Sequence, residues 1–274
     1  MSAQAGIRGK AWFKALTGSD RTFDGDPGSL LTADAKLGEE TASFLCVVPD
    51  PAARFPCARK GEVGLEEAYA LAHRIREAIA LDTGERKRPI VAIVDVKSQA
   101  YGRREETAAI FLAAGAAAAA YTAARMQGHP TITLVVGQAI SGGFLTHGYL
   151  ASRILAFDDR DVVIHAMHKE AAARITLRSV AEVERLGQEI IPMSYNIQDY
   201  ARLGLLHKLL QVEEPDHPSS RTVAQVQKEL IDVVANVRAG TRDLSSRRSS
   251  EGARQARKAG LLVRARMERE WGAP

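Results

Sequence analysis

Thr131–Leu150 reads TITLVVGQAISGGFLTHGYL, and the rest of the chain is organised around it. Thr131–Val136 is a short, β-branched, apolar run, the pattern of a buried strand. Gly137–Ser141 is expected to turn the chain. Gly142 and Gly143 then open a segment that can be helical through Leu150. Adjacent glycines let backbone approach a ligand with no Cβ in the way. Free N–H groups at a helix start favour negative charge, so the turn can form an oxyanion hole. Two other readings stay open: simple close packing, and a nucleophile elbow, because Ala139-Ile-Ser141-Gly-Gly143 fits an A-x-S-x-G variant of that strand-to-helix turn.

Length and composition bound the alternatives. A chain of 274 residues holds one large domain, or one with appended helices. An apolar fraction of 46% excludes disorder, and 5% aromatics leave the core to Ala, Val, Leu and Ile. Cys46 and Cys57 make no disulfide framework and no CxxC pair, and no metal-ligand spacing is present. No cationic start with an apolar core and no membrane-length apolar run occurs, so a soluble, cytoplasmic protein is expected. The net charge of +4 is uneven: Arg238–Pro274 carries ten Lys/Arg against four acids, leaving −2 for everything before it. The basicity belongs to the tail and is no argument for a nucleic-acid-binding core.

On either side of the central stretch the pattern alternates. Ala42–Val48 and Ile90–Val96 (IVAIVDV) read as buried strands, the second apolar nearly throughout, as parallel central strands are. Leu65–Leu81 reads as an amphipathic helix. An alanine-rich helix is expected over Glu105–Gln127, its small side chains permitting close, buried packing. Arg153–Ala156 and Val162–Ala166 are short strand candidates. Leu177–Glu189, Ser194–Leu203, Thr222–Arg238 and Glu251–Trp271 read as helices. Asp20–Asp34 reads as loop. A short helix around Trp12 and Phe13 is expected to dock, either on another subunit or on this chain's own body. The sum is an α/β domain with a largely parallel sheet. No G-x-G-x-x-G and no Walker A sequence follows a strand. Ligands of such sheets gather at the carboxyl ends of strands, where the loops Lys97–Arg104 and Gly137–Gly143 come together.

The run from Val94 to Asp159, VDVKSQAYGRREETAAIFLAAGAAAAAYTAARMQGHPTITLVVGQAISGGFLTHGYLASRILAFDD, resembles the carboxyltransferase branch of the crotonase superfamily. Those proteins have a VDVPGF-like strand end, an alanine-bearing helix, a strand and a GG turn into a helix. Within that branch, SGGFLTHG, IHAMHKEAAARIT and PMSYNI…YARLG resemble the gamma subunit of biotin-independent malonate decarboxylase. The resemblance implies a crotonase-like spiral of β-β-α units over residues 41–212. An N-terminal arm or docking segment (1–40) and a C-terminal helical extension (213–274) flank it. It further implies a beta subunit that shares the active site, an acyl carrier protein subunit and an acetyl/malonyl transferase subunit. The cofactor belongs to the carrier, a phosphoribosyl-dephospho-CoA group bearing the malonyl thioester, and none is bound by this chain. The PGF-type loop of biotin carboxyltransferases is replaced here by Lys97-Ser-Gln-Ala-Tyr-Gly102, which accords with a biotin-independent enzyme. No nucleic acid and no membrane is expected among the partners.

Loss of CO2 from a malonyl thioester leaves an enolate whose charge rests on the thioester oxygen, and preformed donors at that oxygen lower the barrier. The backbone amides of Gly142, Gly143 and Phe144 are the expected donors, either to the thioester carbonyl or to the departing carboxylate. His165, His168 and Tyr101, or water, are candidates to protonate the enolate carbon. Both histidines are more readily read as hydrogen-bonded core residues. Ser98, Tyr101 and Ser141 are expected to line the substrate, and His147 is expected to be structural. The alternatives are a serine hydrolase, with Ser141 as nucleophile and Asp199 with His207 or His217 as partners; a non-catalytic scaffold subunit; and a carboxyltransferase acting on biotin.

Overall fold

The structure, a computed structural model, describes residues 6–271. Its centre is a seven-stranded sheet. Strands β1 (Leu30–Leu37) and β2 (Glu40–Val47) form an antiparallel hairpin. Strands β3 (Ile90–Val96), β4 (Thr131–Ile140), β5 (Arg153–Phe157) and β7 (Lys208–Leu210) follow in that order, all parallel, and β6 (Val163–His165) pairs with the far end of β4. Every residue of β3 is buried, as is every residue of β4 except Gln138, so both read as continuous apolar runs.

Helices α1 (Ile7–Thr17), α2 (Leu65–Leu81), α3 (Arg103–Thr107) and α4 (Ile110–Met126) precede the central turn. α2 packs on α4, and α1 packs on β1–β4. Trp12 and Phe13 are fully buried in the one core, beside Leu30, Leu31 and Leu37. The Trp12 ring meets Phe157 edge-on at 4.8 Å, and its indole N–H donates to Pro215 O (2.7 Å). Of the two docking surfaces open to this helix, the structure therefore uses the chain's own body. Residues 30–34, expected as loop, begin a strand, because Glu40–Val47 offers an antiparallel partner over its whole length. The 1–40 segment thus contributes α1 and β1 to the core, its first five residues lying outside the described ones.

Further expectations change. The helix expected over Glu105–Gln127 is two helices, α3 and α4. Ala109 between them adopts a left-handed conformation (φ 59°) that ends the first. Only one face of α4 is buried: Phe111 and Leu112 stand 66% and 65% exposed. The turn expected over Gly137–Ser141 is also displaced, since β4 runs on through Ile140 by pairing with β6. The extension passes a bulge in β4 opposite Asp95, since Val94 faces Val135 but Val96 faces Ala139. The Asp95 carboxylate accepts the Gln138 N–H (3.0 Å), and Gly137 is required there because a Cβ would lie 2.2 Å from Asp95 Oδ1.

After the central turn come α5 (Ser141–Thr146), α6 (Lys169–Ile175), α7 (Val180–Glu189), α8 (Ile197–Arg202), α9 (Ser220–Ala239), α10 (Glu251–Ala256) and α11 (Lys258–Trp271). The first helix of the 213–274 extension, α9, enters the core through Val226, Leu230, Val233 and Val234. α11 buries no residue at all.

Candidate active site

The site is built at the carboxyl ends of β3 and β4. The loop leaving β3 is clamped by backbone pairing: Val63 N–H donates to Ser98 O (3.0 Å) and Ala100 N–H to Val63 O (2.9 Å). This fixes the main chain around Gln99, and Ser98 and Ala100 are buried. Opposite lies the start of α5. Ser141 has φ 60°, left-handed and unusual for a residue with a Cβ. Gly142 and Gly143 follow, pressed against the loop. A Cβ on Gly143 would lie 2.4 Å from Ser98 O, and one on Gly142 2.9 Å from the Gln99 carboxamide.

Those approaches place a donor and an acceptor together. Gly142 N–H donates to Gln99 Oε1 at 2.8 Å, and the Ser98 hydroxyl lies 3.5 Å from the same oxygen. The Gly142 carbonyl accepts from the Thr146 hydroxyl (2.6 Å). The exposed Tyr101 hydroxyl reaches Ser141 Oγ (3.0 Å). Ser98, Tyr101, Ser141, Gly142 and Gly143 are therefore brought together at one place. Phe144 points inward, buried, with its ring edge-on to Tyr149 at 5.6 Å.

The two candidate histidines flank this centre. β4–β6 register sets His165 opposite Ile140, the residue before the turn. Its ring stacks on Tyr195 at 3.8 Å, and Nδ1 faces the Met167 backbone, 2.9 Å from the carbonyl and 3.2 Å from the amide nitrogen. Burial pushes the His165 pKa down, so the ring is neutral near pH 7. The Tyr195 hydroxyl, which donates to Met167 O (2.9 Å), is raised to about 12 by burial. His168 Nε2 lies 2.9 Å from Lys97 O and fastens α6 to the loop. His147 is structural: fully buried, it bonds Tyr121 Oη (3.0 Å) and Ile93 O (3.1 Å), and burial lowers its pKa to about 4.

The hydrolase arrangement does not assemble. Ser141 Oγ is bonded to a phenol, not an imidazole. Asp199 pairs with Arg202 (3.1 Å). His207 N–H caps β5 by donating to Ile154 O (2.7 Å), and burial beside Arg153 and Lys208 lowers its imidazole pKa. His217 N–H closes a turn on Glu214 O. Sequence reading missed Gln99 and Asp95. A lone acid inside IVAIVDV was a usable signal for the second, while nothing in composition marks the first.

A largely parallel sheet whose paired-glycine turn faces the loop of the preceding parallel strand defines a carboxyltransferase-type protein of crotonase-like fold. Two structures of the transcarboxylase 12S share that fold, at 16% and 18% identity with TM-scores of 0.57 and 0.59, over 78% of this chain and 36–37% of theirs. The malonate decarboxylase gamma subunit model matches residues 58–271, and the chain belongs to that family. It is 48% identical to a chain of a Pseudomonas malonate decarboxylase hetero-tetramer in complex with coenzyme A, with TM-score 0.90 over 94% of this chain and 99% of the other. It matches the Pseudomonas MdcD-MdcE hetero-dimer equally in identity, with TM-score 0.88 over 96% and 99%. The malonyl-S-ACP:biotin-protein carboxyltransferase MADD of Malonomonas rubra is 32% identical over 74% of this chain and 72% of its own length. Among the described residues no helix is long and apolar enough to cross a membrane.

Proposed function

We propose that this chain supplies the enolate-stabilising half of a malonyl-thioester decarboxylase, completed by a malonate decarboxylase beta subunit. The observation that carries the reading is the Gly142 amide, with an acceptor oxygen already 2.8 Å away at Gln99 Oε1. That is the separation an oxyanion donor needs. In the reaction the bond between Cα and the malonyl carboxylate breaks. Its electron pair moves into the thioester, forming an enolate whose oxygen takes the Gly142 N–H, and CO2 departs. The enolate carbon then takes a proton and yields the acetyl thioester. His165, neutral and set opposite Ile140, and Tyr101, exposed beside Ser141, are the candidates to relay that proton.

The open face of the site supports a second subunit. Tyr101 and Leu145 are both more than half exposed around the turn, and water must be kept from an enolate. The malonyl group arrives on the carrier protein, whose prosthetic arm is part of the substrate. The decisive assay is CO2 release from malonyl-carrier thioester by the co-expressed beta–gamma pair, with each chain alone as control. Activity confined to the pair is the expected result, and full activity of the beta chain alone would reduce this chain to a scaffold. The Malonomonas relative favours one second reading, transfer of the carboxyl group to a biotin protein. Decarboxylation that persists in the presence of avidin excludes it.

A further inference from the structure

We infer that Gln99 is a tethered cap on the Gly142 amide, displaced by the substrate's thioester oxygen, and that it sets the KM for malonyl thioester. This rests on the decarboxylase reading above. Three observations carry it. The Gln99 carboxamide presents a carbonyl oxygen to Gly142 N–H at 2.8 Å, the contact a thioester oxygen would make. The Gln99 backbone cannot leave, because Ser98 O and Ala100 N–H on either side are both held by Val63. Its half-buried side chain is the part free to move. The absence of a Cβ on Gly142 is what admits the carboxamide, since one would stand 2.9 Å from both Gln99 Cδ and Oε1.

The chemistry of such a cap follows directly. With no substrate bound, the Gly142 N–H is satisfied by an acceptor of the same kind as the ligand. Binding then exchanges one carbonyl for another, and the enolate, carrying more charge than either, gains the most from the donor. A tethered acceptor competes at high effective concentration, so it weakens substrate and transition state alike, which appears in KM and not in kcat.

Steady-state CO2 release by the co-expressed beta–gamma pair tests this. Gln99→Ala is expected to lower KM by about 2- to 10-fold, the worth of one net hydrogen bond, with kcat held within about 2-fold. Gln99→Asn, too short to reach the amide from the same backbone, is expected to match Ala while keeping a carboxamide. Gln99→Glu is expected to move KM the other way, because a carboxylate holds the amide more tightly and repels the malonyl carboxylate. Mere loosening of the loop would shift all three variants in one direction. An unchanged KM in Ala and Asn, or a loss confined to kcat, overturns the cap. If the wild-type pair itself releases no CO2, the decarboxylase reading falls and the cap falls with it. If the wild type turns over and Gln99→Ala does not bind substrate better, only the cap falls.

Discussion

The backbone of Gly143 packs against the carbonyl of Ser98 so closely that a Cβ would sit 2.4 Å from that oxygen. Both partners are main chain, and Ser98 O is itself held by Val63 N–H. Neither side can yield without moving the loop that faces the turn. Gly143→Ala is therefore expected to displace Ser98–Tyr101 and lower kcat/KM for malonyl thioester by about 100-fold or more, the scale of losing one oxyanion donor. Gly143→Val should be at least as severe. Wild-type turnover by the Gly143→Ala pair would move the chemistry off this turn.

Ser141 and Tyr101 give an outcome of opposite kind. The hydroxyl–hydroxyl contact at 3.0 Å lies at the exposed rim, and no imidazole touches Ser141 among the described residues. Ser141→Ala is expected to keep decarboxylation within about 10-fold, far short of the loss a missing nucleophile causes. A fluorophosphonate should leave Ser141 unlabelled. Ser141→Gly relieves the left-handed backbone (φ 60°) and should raise stability by about 0.5 kcal/mol, the left-handed penalty less the added chain entropy. Denaturant titration measures it.

Asp95 joins the first helix to the sheet. Its buried carboxylate accepts the amides of Gly6 (2.8 Å), Gly9 (3.1 Å) and Gln138 (3.0 Å). Burial raises its pKa, and the three amides together with Arg8 oppose that rise. Asp95→Ala would strand three N–H groups, those of Gly6 and Gly9 buried and that of Gln138 partly buried. A loss of about 3 kcal/mol or more is expected, at roughly 1–3 kcal/mol for each buried group left without a partner. Chemical denaturation of the purified pair checks it.

His147 sets an acid limit. Its native pKa, about 4, lies below the ordinary value of 6.5, so between those values the unfolded chain binds the proton and the native state does not. Stability from this group is complete above about pH 6.5 and falls as pH drops to about 4, by about 3 kcal/mol in all. Below that both states are protonated and the slope vanishes. Two-dimensional NMR of the imidazole should show no titration above pH 5.

The strand IVAIVDV, the glycine pair and the loop facing it were legible because each is local. A continuous apolar run can only be a buried element, and a glycine pair at a strand end announces close approach. What was not legible depends on partners far away in sequence. The docking of Trp12 needs Phe157 and Pro215. The continuation of β4 through Ile140 needs Val163–His165 to offer an edge. Gln99 takes its meaning only from an amide 43 residues on. The break at Ala109 escaped for a different reason. An alanine in the left-handed region opposes every helix preference around it, and only packing overrides that.

The last helix raises a question of charge. α11 buries nothing, and its Lys258, Arg264 and Arg269, with Arg254 of α10 beside them in sequence, are all exposed. Arg257 differs, since its guanidinium donates to Leu203 O and joins the turn before α11 to the end of α8. Carrier proteins are generally acidic, so an exposed basic helix on a chain of otherwise slightly negative charge suits electrostatic docking of the carrier. Reversal of Arg254 and Lys258 to Glu, leaving Arg257 intact, is expected to raise KM for the carrier-bound thioester by about 10-fold with kcat unchanged. The wild-type KM should climb with added salt while the variant's responds less, because screening acts on exposed charges. A small malonyl thioester without the carrier protein should show neither effect. If the double variant keeps the wild-type KM and its salt dependence, the carrier docks elsewhere and the basic face is simply solvated.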